Sequence, residues 1–313
     1  MAHESWPALR YAEWRDTCAS LHLRAQVVGK IRLALTPWQN HSWHATLYPS
    51  VRGLTTGPIP YRARTFRIEL DFFEHRLFIE ASDEQRRSLP LKEQSIANFY
   101  ADVLADLKEI GIDVRIHGKP SEVPDPVPFA EDREHRAYDP RAVTRFWHAL
   151  SSSASVMQEF RTGFLGKSSP VHFFWGSFDL AVTRFSGRRA PRHPGGVPGL
   201  PDAITREAYS HEVCSAGFWP GGGGYDDAAF YCYAYPEPAG FASARVRPAA
   251  AVYDTALREF ILPYEAVRTA RDPRIELLAF LQSSYDAAAT LGGWDRAALD
   301  CEQGVPGVPR RVD

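Results

Sequence analysis

The densest collection of ionisable residues lies between Val171 and Glu212: His172, Asp179, Arg184, Arg188, Arg189, His193, Arg206, Glu207, Tyr209, His211 and Glu212. Apolar strand-forming residues are interleaved with them. Ionisable groups held against an apolar wall titrate away from their ordinary values, which acid–base chemistry needs. A histidine with a carboxylate moves protons, so His172, His211, Glu212 and Asp179 are the catalytic candidates. Arginine clamps a carboxylate or phosphate through two hydrogen bonds, which makes Arg184 a substrate-binding candidate. An ordinary solvated loop is the plain alternative for the arginines. His172, His211 and either Asp179 or Glu212 also supply the ligand types of a His-His-carboxylate metal centre, and a transition metal is the one cofactor these residues suggest. No close spacing such as His-x-His supports that centre. Packing at sheet edges is the plain alternative for the histidines.

Geometry limits these ideas. On one unbroken strand His172 and Arg184 share a face and Asp179 takes the other. His172 and Arg184 would stand about 40 Å apart at roughly 3.3 Å per residue. A break at Gly176-Ser177 would change that phase.

A second set sits on an early helix. His22, Gln26 and Lys30 fall at i, i+4 and i+8, on one helical face. Such a stripe ordinarily faces water. Here Gln26 and Lys30 are embedded in the apolar QVVGKIRLAL, which favours Lys30 reaching into a pocket with Gln26 beside it. NHSWH (Asn40 to His44) adds His41 and His44, and His44 is the candidate to meet the later histidines. The aromatic clusters HFFW and FYCYAY suit either a core or the stacking of a flat ligand.

The elements that must position these residues follow from periodicity. Ser5 and Pro7 open a short helix through about Ser20. Leu21, Ala25, Val28, Ile31 and Leu35 continue at helical spacing until Pro37. WHATLY (Trp43 to Tyr48) reads as a strand. TFRIELDF (Thr65 to Phe72) and RLFIEA (Arg76 to Ala81) read as a hairpin. Ser95 caps an amphipathic helix that Gly111 stops. IDVRI (Ile112 to Ile116) reads as a further strand. Lys119 to Pro140 is rich in proline and reads as a connector draped over the surface. Asp139-Pro140 starts a helix that runs to Gly166. Val171 to Phe185, Ser210 to Trp219 and Ala229 to Glu237 are strand-rich. The Gly221 to Gly224 run reads as a hairpin tip, Tyr253 to about Tyr264 as helix, and Asp272-Pro273 as the start of the last helix, to about Ala289. GVPGVPRRVD reads as a loose tail.

These elements predict an α+β fold of two similar strand-rich halves with flanking amphipathic helices. The units are residues 1–118, a connector 119–139, residues 140–300 and a tail 301–313. Gly29-Lys30 before Trp43 matches Gly166-Lys167 before Trp175, and Trp43 to Arg52 spans the same interval as Trp175 to Arg184. Those matches suggest a diverged internal duplication, with a pocket at the junction of the halves.

Several classes are excluded. The 313 residues carry 36 Lys+Arg against 38 Asp+Glu, a net charge of −2, so no broad basic surface for nucleic acid is expected. No stretch approaches the length of a membrane span. The amino terminus lacks a signal-peptide pattern, so the cytoplasm is the expected location. Cys18, Cys214, Cys232 and Cys301 are too sparse for a disulfide scaffold and read as reduced. GFLGKSS (Gly163 to Ser169) fails as a phosphate loop, because Arg161 stands where the first glycine belongs and a helix precedes it.

Four segments carry a resemblance: LHLRAQVVGKIRLALTPWQNHSWH, RGLTTGPIP, SPVHFFWGSFDLAVTRFSGRRAP and REAYSHEVCSAGFWPGG. They resemble a bacterial family catalogued as domain of unknown function 5996, over roughly Trp6 to Leu299. The resemblance implies that these segments are family signatures and brings no activity with it. Arg24 stands where that family usually has an aromatic, which suits an exposed position. The resulting reading is an enzyme acting on a small anionic molecule through a His/Arg/carboxylate pocket between the halves. Its substrate-binding set is Lys30, His44, Arg184 and Gln26. The alternative is a non-catalytic ligand-binding or protein-interaction module.

Overall fold

The computed structural model describes residues 5–222 and 225–310. Chain order is α1 (Tyr11–Leu35), β1 (Tyr48–Pro49), β2 (Gly53–Thr55), β3 (Ile59–Tyr61), β4 (Arg64–Asp71), β5 (Arg76–Ala81), β6 (Arg86–Pro90) and α2 (Ile96–Glu109). After a long irregular segment come α3 (Pro140–Thr162), β7 (His172–Phe174), β8 (Asp179–Arg189), α4 (Asp202–Ala208), β9 (His211–Trp219), β10 (Ala229–Tyr235), β11 (Val252–Asp254) and β12 (Glu259–Pro263). Helices α5 (Tyr264–Arg268), α6 (Pro273–Leu291) and α7 (Arg296–Leu299) close the chain. The fold is α+β, with two antiparallel six-stranded sheets. The first runs β1-β2-β4-β5-β6, with β3 also on β4; the second runs β11-β12-β10-β9-β8-β7. Leu47 and Phe173 exchange backbone hydrogen bonds of 2.9 and 2.7 Å, which joins the two sheets edge to edge. One apolar cluster, from Leu9 to Trp294, runs through both.

The first helix is one unbroken rod rather than two. Nothing between Ser20 and Leu35 breaks it, since good helix formers fill the join. Ala12, Glu13, Arg15 and Asp16 of its first turns are exposed, but from Thr17 to Arg32 it is buried on almost every side, with α2, α3 and β3 packed around it. That is why its polar stripe does not face water. Arg24 is fully buried, contrary to the exposed position expected. Its guanidinium lies over Phe99 and Tyr138, 5.6 and 5.1 Å from the ring centres, and donates to the carbonyls of Lys92 and Gln94. A flat, delocalised cation can thus occupy a slot between aromatic rings.

Other expectations need correcting. Only the end of WHATLY is extended; Asn40–Ser42 forms a 3-10 turn with His41 in the left-handed region. IDVRI forms no strand, although the Asp113 N–H donates to the Tyr61 hydroxyl at 2.9 Å. Tyr253 to Pro263 is not helical but holds β12 and most of β11, and helix begins only at Tyr264, with α5. The proline-rich connector is not simply draped on the surface, because Phe129 and Asp132 are buried in it. Gly304 and Arg310, in the expected tail, both bond Thr162 at the end of α3. Gly223 and Gly224 of the glycine run, and residues 311–313 of the tail, lie outside the described residues. The repeat matches do not occupy equivalent places: Gly29-Lys30 is inside α1, whereas Gly166-Lys167 is in the loop after α3.

Ser95 and Asp139 cap α2 and α3 as their residue types predict, accepting from the N–H of Asn98 and Arg141. The break at Gly176-Ser177 is a full hairpin turn between β7 and β8, pairing His172 with Ala181. The even-numbered residues of β8 and β9, such as Val182, Arg184, Cys214 and Phe218, face α3, α5 and α6. The odd-numbered residues face a cavity.

Candidate functional site

The cavity measures about 520 Å³, within the range of small-molecule sites. Its floor is the second sheet. Registered strands bring Asp179, Ala181 and Thr183 of β8 alongside Ser215 of β9 and Tyr231 and Tyr233 of β10. Its walls come from the 38–45 loop, His117 and the start of the connector (Pro120, Ser121 and Glu122), and the segment from Gly199 through α4 to Tyr209. Lys30 enters from α1, and Trp43, Phe174, Trp175 and Phe185 make much of the lining aromatic.

The helical stripe builds one side. Gln26 is wholly buried and clamps Ser121 twice: its Nε2 donates to the Ser121 carbonyl, and its Oε1 accepts from the Ser121 N–H, each at 2.8 Å. Lys30 Nζ donates to Ser121 Oγ at 2.8 Å and sits 5.3 Å from the Trp175 ring centre. His22 Nε2 lies 2.9 Å from the Gly176 carbonyl, so the same stripe also pins the β7–β8 turn. Gly29 lets Trp175 approach, since a Cβ there would meet the indole at 2.1 Å. The Trp175 Nε1–H donates to the Ala45 carbonyl at 2.6 Å and fixes the ring.

Ser121 delivers Glu122 to the cavity. Glu122 has a left-handed backbone, φ 56°, an uncommon conformation for a non-glycine residue and one that surrounding contacts must hold. Two glycines make room for it. A Cβ at Gly176 would fall 2.1 Å from the Glu122 carboxylate, and one at Gly199 would fall 2.7 Å from its backbone nitrogen. Burial, then the nearby Asp179, raises the Glu122 carboxyl to about 7, against a smaller opposing pull from Lys30. Burial lowers the Lys30 ammonium to about 8, with Glu122 opposing.

Asp179 lies behind Glu122 and accepts from the Ser177 and Tyr231 hydroxyls. Burial raises its carboxyl, and these hydrogen bonds pull it back down. Tyr231 reaches Asp179 from β10 only because Gly217 lies between them on β9. A Cβ at Gly217 would sit 2.3 Å from the Tyr231 hydroxyl. Tyr209 and Tyr233 share a hydroxyl hydrogen bond of 2.9 Å, and Thr183 bonds Ser215 at 2.8 Å. Glu259, two residues before the partner of Tyr231 on β12, is raised to about 8, first by burial and then by Asp179. At the mouth, His41 Nδ1 donates to the Ala208 carbonyl at 2.9 Å, and Lys167 Nζ donates to His41 Nε2 at 2.7 Å.

The sequence-derived candidates divide. Lys30 and Asp179 line the cavity, and Gln26 stands directly behind Ser121. His44 is buried beside Trp38, 4.5 Å between ring centres, and does not line it. His172 is on the cavity side of its strand but fully buried among Trp43, Tyr48 and Phe174, with neither ring nitrogen bonded. Burial holds it at about 3, so it is a neutral core residue. His211 lies outside the cavity, 6.3 Å from the His41 ring. Arg184 is on the opposite face of the sheet, among Phe160, Phe164 and Tyr285. Glu212 also points away from the cavity and pairs with Arg188 at 2.7 Å. No arginine lines the cavity among the described residues. Nor do any three His, Cys, Asp or Glu residues there form a group able to hold a metal, so His172 and His211 build no such centre.

Sequence reasoning passed over Ser121, Glu122 and Glu259, and it named Tyr231 and Tyr233 only within FYCYAY, as core or stacking residues, not as site residues. The tyrosines carried a signal: FYCYAY alternates, so Tyr231 and Tyr233 share a face. Glu122 carried none, being one acid in a proline-rich stretch.

Fold and site together define an α+β protein with a desolvated cluster of carboxyl, ammonium and phenol groups in an aromatic-walled cavity. The chain matches the model of a family of unknown function, DUF5996, over residues 6–301, and belongs to that family. No curated protein and no solved structure matches it. No helix among the described residues is long and apolar enough to cross a membrane.

Proposed function

We propose that the chain is an acid–base enzyme acting on a small molecule seated in this cavity. The observation that carries the reading is the convergence of Glu122, Lys30 and Asp179, from a loop, a helix and a strand, in one water-poor space. Glu122 is the proton-transfer group. A carboxyl near 7 is divided between its acid and base forms at neutral pH, which suits general acid–base catalysis. Lys30 holds an anionic or carbonyl oxygen of the substrate. Ser121 takes one of its three N–H donors, leaving two for a ligand. The Asp179–Tyr231 pair supplies a polar wall next to Glu122. In this reading Arg184 and His172 are structural, and the anion-holding role given to arginine by the sequence passes to Lys30.

The test is solvent-deuterium exchange. Small carboxylates and carbonyl compounds that raise the unfolding temperature are incubated with the protein in heavy water and followed by NMR. The expectation is exchange at a carbon-bound hydrogen, reduced at least 100-fold in Glu122→Gln, in keeping with the usual contribution of such a group. Exchange unchanged in that variant would overturn the assignment. Binding of such compounds without any exchange would favour the non-catalytic binding module.

A further inference from the structure

We infer that the ligand of this cavity is a zwitterion with a flat apolar body, an amino acid with an aromatic side chain or a compound of that chemistry. The inference rests on reading the cavity as the active site and goes further by naming what it takes.

Lys30 and Glu122 are two charges without a countercharge among the described residues. Lys30 is 4% exposed and gives its hydrogen bond to a hydroxyl, Ser121 Oγ, rather than to a carboxylate. Among the described residues, no hydrogen bond or ion pair engages the Glu122 carboxyl, which rests against Gly176. The two groups feel each other's charge but do not form an ion pair. Buried charges are ordinarily paired, because an isolated one loses its hydration without compensation. A ligand with one charge satisfies one of these groups and leaves the other alone. A ligand carrying both an anion and a cation satisfies both, one Glu122 oxygen accepting from the ammonium and the other left to move the proton.

The spacing favours charges close together on the ligand. Lys30 bonds Ser121, and Glu122 is the next residue, so the two sites are neighbours on one loop. The carboxylate and ammonium of an α-amino acid are attached to the same carbon. The rest of the cavity is aromatic, with Trp43, Phe174 and Trp175 on one side and Tyr231 and Tyr233 stacked at 16° on the other. Such faces suit a flat ring and favour a nearby ammonium.

The test is calorimetric titration of the full chain at neutral pH with three probes. These are phenylalanine, 3-phenylpropionate, which lacks the ammonium, and 2-phenylethylamine, which lacks the carboxylate. Losing one charge-assisted hydrogen bond corresponds to a loss of about 10-fold or more in affinity, so phenylalanine should bind at least that much more tightly than either analogue. Lys30→Met should weaken phenylalanine and the acid but spare the amine. Glu122→Gln should weaken phenylalanine and the amine but spare the acid. Unfolding temperatures of both variants establish that they are folded. If 3-phenylpropionate binds as tightly as phenylalanine, the zwitterion inference is wrong; deuterium exchange into an acid would then still support the acid–base reading. Binding of none of the three probes would also overturn the inference.

Discussion

Glu122→Gln should make the protein more stable, and only above a definite pH. The Glu122 carboxyl titrates at about 7 when folded, against an ordinary 4.5. The folded pKa is therefore the higher one, and the folded chain holds this proton more tightly than the unfolded chain. The resulting stability is fully present below 4.5, declines as pH rises, and is gone above about 7. At 1.36 kcal/mol per pH unit, the two limits differ by roughly 3 kcal/mol. Glu122 is partly open to the cavity, and solvent screening reduces this to about 2 kcal/mol. Glutamine has nearly the same shape and no titration. The variant should match the native protein near pH 4.5 and exceed it by about 2 kcal/mol from pH 7.5 upward. Urea denaturation at half-unit pH steps measures this, read as the difference in stability between the two proteins. Glu259 and Lys30 titrate in both and cancel to first order. A difference that is flat with pH, or that favours the native protein as pH rises, would refute the reasoning.

The remaining predictions test the surroundings. Lys30 has the opposite sign: its folded pKa is lowered to about 8, so its contribution is complete above the ordinary 10.5 and lost as pH falls through 8. Lys30→Met should therefore be about 2 kcal/mol more stable than native at pH 7, with the gap closing toward pH 10, again by urea denaturation. Gly217→Ala drives a methyl into the Tyr231 hydroxyl and the Leu180 carbonyl, both at 2.3 Å. It should cost roughly 1–3 kcal/mol of stability and lower ligand affinity, seen by denaturation and calorimetry. Arg184→Met changes only the far face of the sheet, so ligand binding and deuterium exchange should stay within about twofold of native even where stability falls.

Sequence periodicity revealed what repeats and lost what does not. β4, β5, α2 and α3 were legible because their apolar spacing and the caps at Ser95 and Asp139 agree with their burial. The His22-Gln26-Lys30 stripe was legible as one face, yet its usual reading, a face in water, failed. No pattern within α1 announces that α2, α3 and β3 enclose it. Asp179 was reached by residue type and Arg184 was misplaced by the same reasoning, since alternation assigns opposite faces but does not say which face holds the ligand. The hairpin at Gly176 also brought His172 onto the same side as Asp179, where Trp43 then buried it. Glu122 was illegible because it depends on long-range fits: the Gln26 clamp, 95 residues away from Ser121, and the clearances at Gly176 and Gly199.

The central claim is that Glu122 moves a proton while Lys30 holds the substrate. The pH profile of deuterium exchange tests it most directly, using whichever ligand the native protein exchanges fastest. The base must be ionised and the lysine charged, so the rate should rise through about 7 and fall again beyond about 8. Glu122→Gln should remove the rising limb, and Lys30→Met the falling one. A profile without a rise near 7, or one that Glu122→Gln leaves intact, would contradict the account.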